Sequence, residues 1–129
     1  MADHYHAVVW IDHHQARVIH FNPTDADTEV VHPHHPKKNI HSHALPRGSN
    51  HGAEDQHYLH EVVEAISKAK AVLITGPANA KHELVKHIEH HDKNLIEIIA
   101  GVENSDHPTD KQILAHARKF FEAYDRMKA

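Results

Sequence analysis

The sequence predicts an α/β fold on a mixed five-stranded sheet, in the order β-β-β-α-β-α-β-α. Three observations carry that prediction. Short apolar runs rich in β-branched residues recur along the chain, with the length and composition of buried strands. In the second half they alternate with stretches whose apolar residues return at helical spacing. The first three strands are separated by turn residues alone, which places an antiparallel meander ahead of the βα units.

His6-Ala7-Val8-Val9-Trp10-Ile11 is continuously apolar after its first residue, as in a strand buried on both faces. Asp12-His13-His14-Gln15 is short and polar enough for a hairpin turn, with Asp12 a turn residue. Ala16 to Phe21 is the partner strand, with Ile19 and Phe21 on one face. Asn22-Pro23-Thr24-Asp25 breaks the pattern, and Thr28 to His32 reads as a short third strand ended by Pro33 and Pro36. Residues 33–52 hold prolines, glycines and few apolar side chains, which predicts a long His-rich loop. Tyr58, Leu59, Val62, Val63 and Ile66 then mark an amphipathic helix over about residues 53–69, with Glu54 and Asp55 in its first turn. Residues 71–75 form a buried strand closed by Gly76-Pro77. Leu84, Val85 and Ile88 define a second helix, for which Asn79 is the expected cap. Residues 98–102 make the fifth strand. Thr109 and Gln112 have capping-box spacing before a last helix lined by Ile113, Leu114, Ala117, Phe120, Phe121 and Tyr124. One domain over residues 1–129 is the expectation, with no internal repeat.

Composition narrows the function classes. The absence of cysteine excludes disulfides, thiolate metal sites and cysteine nucleophiles. No apolar run reaches the ~20 residues of a membrane span, and no signal-peptide pattern opens the chain, so a cytoplasmic protein with no membrane partner is expected. Nineteen histidines are the most unusual feature. The formal charge of −4 counts them as neutral, and protonating all 19 would take it to +15. With a reference pKa of ~6.5, exposed imidazoles turn this surface cationic just below neutrality. Nucleic-acid partners are therefore not excluded by the acidic label.

Several residues are familiar as a set. Val72-Leu73-Ile74-Thr75-Gly76-Pro77-Ala78-Asn79-Ala80-Lys81-His82-Glu83-Leu84 resembles a stretch of the central domain of eukaryotic and archaeal class-one release factors and of pelota. Val8-Val9-Trp10-Ile11-Asp12 followed by Ala16-Arg17-Val18 resembles that domain's opening hairpin, and Pro36-Lys37-Lys38 stands where its long loop begins. The likeness runs over most of the chain and is nearest to a bacterial group of small, stand-alone, His-rich translational machinery proteins. The resemblance implies a ribonuclease H-like fold, in agreement with the element order. It also implies a translation-related partner, the ribosome or RNA, and a loop that reaches RNA through Lys37, Lys38, Arg47 and His51. One departure matters. Release factors carry Gly-Gly-Gln in this loop, whereas here Gly48 and Gly52 are isolated and the nearest glutamine, Gln56, falls in the predicted helix. Ester hydrolysis by the release-factor route loses its motif, and pelota-like proteins, which also lack it, act as binding factors.

Three further readings compete. His32, His34, His35, His41 and His43 could hold Zn²⁺ or Ni²⁺, since alternating His-x-His on extended backbone puts both rings on one side. The plainer alternative is a solvated loop that captures metal weakly. His57 with Glu61, and His60 with Glu64, are i,i+4 pairs, and His87, His90 and His91 lie near Glu83. All of these read as surface pairs worth a few tenths of a kcal/mol. A ribonuclease H-type nuclease would need carboxylates on both of two metal ions. Asp12 and Glu54 are available, but the fourth strand ends without an acid. The leading reading is a non-catalytic ribosome- or RNA-associated factor with the His-rich loop as contact surface. A metal buffer or sensor comes second, and a peptidyl-tRNA or nucleic-acid hydrolase third.

Overall fold

The computed structural model describes residues 6–33 and 47–128, with side chains described for 6–33 and 56–127. Five strands, β1 (His6–Ile11), β2 (Ala16–Phe21), β3 (Ala26–Val31), β4 (Ala71–Gly76) and β5 (Ile99–Asn104), form one sheet in the spatial order β3-β2-β1-β4-β5. β1 and β2, and β2 and β3, pair antiparallel, whereas β1 with β4 and β4 with β5 pair parallel. The helices are α1 (Arg47–Ile66), α2 (Ala80–His91) and α3 (Asp110–Lys128), with a 3₁₀ helix (Lys93–Ile98) between α2 and β5.

Side chains alternate across a strand, so a strand covered on both faces must be apolar throughout. In β1, Ala7, Val9 and Ile11 face one layer, where Tyr58, Leu59, Val62, Val63 and Ile66 of α1 meet Leu84 and Ile88 of α2. Val8 and Trp10 face the other, against Ile113, Ala117 and Phe121 of α3. β2 divides in the same way, with Ala16 and Val18 toward α1, and Ile19 and Phe21 toward α3. The result is a three-layer α/β/α arrangement. At the edge, β3 is exposed at every residue but Val31, and Asp27 and Glu29 stand on it. Charged side chains on an edge strand discourage pairing with another chain.

Several boundaries differ from the sequence-based expectation. The His-rich loop does not extend to residue 52, because residues 47–52 already belong to α1. Gly48 and Gly52 each cost about 1 kcal/mol in a helix interior, which is why the segment reads as loop. Extending a helix already anchored by its packed half needs no new nucleus. Glu54 and Asp55 consequently lie beyond the first turn, which contains no acid. β3 starts and ends earlier than expected and leaves His32 outside it, and residue 98 closes the 3₁₀ helix instead of opening β5. Asn79 caps α2 with its backbone carbonyl alone, accepting the N–H groups of His82 and Glu83.

The capping box of α3 is formed. Gln112 N–H donates to Thr109 Oγ1 at 3.1 Å, and Thr109 N–H donates to Gln112 Oε1 at 2.9 Å. Thr109→Ala is expected to lower stability by about 1 kcal/mol. Urea unfolding measures this, and an unchanged midpoint would show the box contributes nothing. Among the described residues no helix is long and apolar enough to cross a membrane.

Candidate functional site

The carboxyl ends of β1, β4 and β5 lie side by side, and the β1–β2 turn shares their edge of the sheet. Val31, which ends β3, pairs with Ala16 at the start of β2, so the chain leaves the sheet at this same rim before residues 34–46. In α/β sheets the loops at such ends are the usual place for ligands.

The rim is held by specific bonds. Asp12 Oδ1 accepts the backbone N–H groups of His14 and Gln15 at 2.8 and 2.9 Å, which closes the turn. Tyr58 Oη–H donates to the Asp12 carbonyl at 2.9 Å and ties α1 to that turn. Thr75 Oγ1 donates to Ser105 Oγ, and Ser105 N–H to the Gly76 carbonyl, both at 2.9 Å. Trp10 Nε1–H donates to the Asp106 carbonyl at 2.9 Å, and the Arg17 guanidinium lies 4.6 Å from the centre of the same indole.

Around this frame stand exposed histidines. His13 Nε2 is 3.3 Å from Glu83 Oε1, and His107 Nδ1 is 3.1 Å from Asp106 Oδ1. His107 also faces Asp12 Oδ2 at 3.9 Å and packs its ring 5.3 Å from Trp10. His14 and His32 are exposed. Each exposed ion pair contributes at most about 1 kcal/mol.

Of the residues singled out from the sequence, His32 lies at this rim, one position past β3. His34, His35, His41, His43, Lys37 and Lys38 lie outside the described residues. Arg47 and His51 sit in the first turns of α1, with their side chains outside the description. Gln56 is not presented to a reactant, because its Oε1 accepts from His87 Nδ1 at 2.6 Å. β4 ends at Thr75 and Gly76 with no carboxylate, Asp12 Oδ1 is engaged in its turn, and the Glu54 side chain lies outside the description.

One reading needs correction. His87 is not a surface residue: it is buried between α1 and α2 at 7% exposure. Glu83 pairs with His13 rather than with the α2 histidines. Leu84, His87 and Ile88 share the i, i+3, i+4 stripe that α2 turns inward, and that spacing was the available signal. His57 and His60 do pair with Glu61 and Glu64, at 3.5 and 3.2 Å. Burial lowers the pKa of His87, the charges of His91, His60 and His90 add to the effect, and Asp92 opposes it. The unfolded chain therefore takes this proton more readily than the folded one, and stability falls as pH drops below ~6.5.

No protein-family model matches the sequence, and no curated protein matches it significantly. Solved structures do. The archaeal translation termination factor aRF1 matches with a TM-score of 0.59 and 16% identity, over 95% of this chain and 39% of that one. Pelota from Archaeoglobus fulgidus matches at 0.61 and 8%, over 88% of this chain and 30% of its own. Pelota from Thermoplasma acidophilum matches at 0.55 and 14%, over 84% and 30%. This chain thus spans less than two fifths of each of these proteins. At such identities the likeness is one of fold, and this mixed sheet with its helices is similar to a part of archaeal release factors and Pelota.

Proposed function

We propose that this chain is a non-catalytic, translation-related factor that contacts the ribosome or RNA through the rim and the segment leaving it. The observation that carries the reading is the fold shared with a translation termination factor and with Pelota. The ribonuclease H-like assignment, kinship with the bacterial stand-alone group and a cytoplasmic location belong to the same reading. The rim's chemistry supports it. His13, His14, His32 and His107 are exposed at the end of the sheet from which a segment carrying Lys37 and Lys38 departs. Phosphate contacts need cations, and imidazoles supply them conditionally. A binding role is favoured over hydrolysis because the sequence has no Gly-Gly-Gln and Gln56 is bonded to His87.

Co-sedimentation of untagged protein with ribosomes, titrated at several salt concentrations and two pH values, tests the proposal. Three cationic contacts from Lys37, Lys38 and Arg47 predict roughly a 20- to 40-fold loss of affinity for a fourfold rise in salt. Affinity is expected to rise as pH falls from about 7.5 to about 6, as histidines gain charge. Lys37→Ala with Lys38→Ala should flatten the salt dependence. Binding that is absent, or indifferent to both salt and pH, would remove the RNA-contact reading.

A further inference from the structure

A second place in the molecule carries chemistry the rim does not use. His60 of α1, His87 of α2 and Asp92 just past α2 each offer one ligand atom within 4.8 Å of the others. Their packing is set by the apolar faces of α1 and α2, which meet through Leu59, Val62, Val63, Leu84 and Ile88. Gln56 accepts from His87 Nδ1, so the Nδ1 proton is committed and the lone pair resides on Nε2. That Nε2 is buried and has no hydrogen-bond partner, and neither has the buried Asp92 Oδ2. Leaving a buried polar atom unpaired is costly, and two acceptors side by side make it more so. Both lack the same thing, a positive centre.

We infer that His60, His87 and Asp92 form a binding site for a divalent transition ion, Zn²⁺ being the ion their donors fit, at the seam between α1 and α2. Two imidazoles and a carboxylate are a donor set that Zn²⁺ accepts, with a fourth position left to water or another ligand. The His91 ring lies 4.5 Å from that of His87. Gln56 does for His87 what outer-shell acceptors do in metal sites, fixing the tautomer and the ring orientation. Metal–donor bonds of about 2.1 Å in a tetrahedron put the donors about 3.4 Å apart, so the triad must draw in slightly. His60 is exposed, and turning inward exchanges its 3.2 Å contact with Glu64 for the ion. A bridging water has two protons to give, whereas an ion accepts lone pairs from all three side chains. The site is separate from the rim and does not depend on the ribosome reading. It also differs from the loop set His32, His34, His35, His41 and His43.

The experiment is calorimetric titration of the untagged full chain with Zn²⁺, paired with thermal unfolding with and without the ion. Two variant groups separate the sites: His60→Ala and Asp92→Asn in the seam, and a loop variant with His34, His35, His41 and His43 all changed to Ala. His60 is exposed and Asp92→Asn keeps its volume, so both should fold; circular dichroism checks this. Saturable binding of one ion that survives in the loop variant and weakens tenfold or more in each seam variant is the expected result. The melting midpoint should rise with Zn²⁺ in the wild type and the loop variant, and much less in the seam variants. Without metal, Asp92→Asn should match or exceed the wild type in stability, because it removes an unpaired buried carboxylate oxygen. Absence of saturable binding, or binding lost only in the loop variant, would overturn the inference.

Discussion

Gly76→Ala will cost about 4 kcal/mol of folding stability, a large share of the ~5–15 kcal/mol a domain of this size holds. Gly76 has φ +157°, and a Cβ built on it would lie 2.2 Å from the Ile11 carbonyl oxygen. Backbone cannot yield as a flexible side chain can. The neighbouring β1 and β4 would have to separate where they run parallel toward the rim. The Gly76 carbonyl also accepts from Ser105 N–H, so the disturbance would spread to the end of β5. Urea unfolding followed by the fluorescence of the single tryptophan measures the effect. A loss under about 1 kcal/mol would mean that this crossing relaxes freely, against the packing argument.

Trp10→Ala is expected to cost about 3–5 kcal/mol. Trp10 is fully buried among Ile113, Ala117 and Phe121. Its removal would also leave the Asp106 carbonyl without its indole donor and Arg17 without the ring beneath its guanidinium. Arg17 would keep its 2.9 Å bond to Asp110. Circular dichroism reads the stability, and amide exchange should quicken over residues 105–109, which Trp10 anchors to the sheet. Retention of both stability and protection would show that α3 and the Ser105 bonds hold that segment without the indole.

Where one residue's neighbours decide its state, the sequence was readable. β1 and β4 were legible as strands buried on both faces, because each is a short, nearly continuous apolar run rich in β-branched residues. The hairpin turn at Asp12 and the capping box at Thr109 and Gln112 are local chemistry, and both form. The start of α1 was hidden by Gly48 and Gly52, whose unfavourable propensity is overridden by the packed helix beyond them. The 3₁₀ helix was hidden because six residues carry too little periodicity to separate Leu95, Ile96 and Ile98 from the strand that follows. The seam between α1 and α2 was the deepest omission. Spacing within one helix pairs His60 with Glu64, but nothing in spacing says that His60 faces His87 across 27 positions. Only the docking of two apolar stripes brings those rings together.

The parallel pairing of β1 with β4 has a consequence in time. His6 lies opposite Ala71, 65 positions later in the chain, with the whole meander and α1 between them. At ~5–20 residues per second, a ribosome needs roughly 3–13 seconds to make that interval. Throughout it β1 can pair with β2 on one side, while its other edge, the future centre of the sheet, has no mate. Alternate residues along that edge then present open hydrogen-bonding groups, while Val8 and Trp10 still lack the cover of α3. The newborn chain is most vulnerable to wrong pairing just before β4 emerges, because the pairing that completes β1 spans the longest stretch of sequence in the sheet.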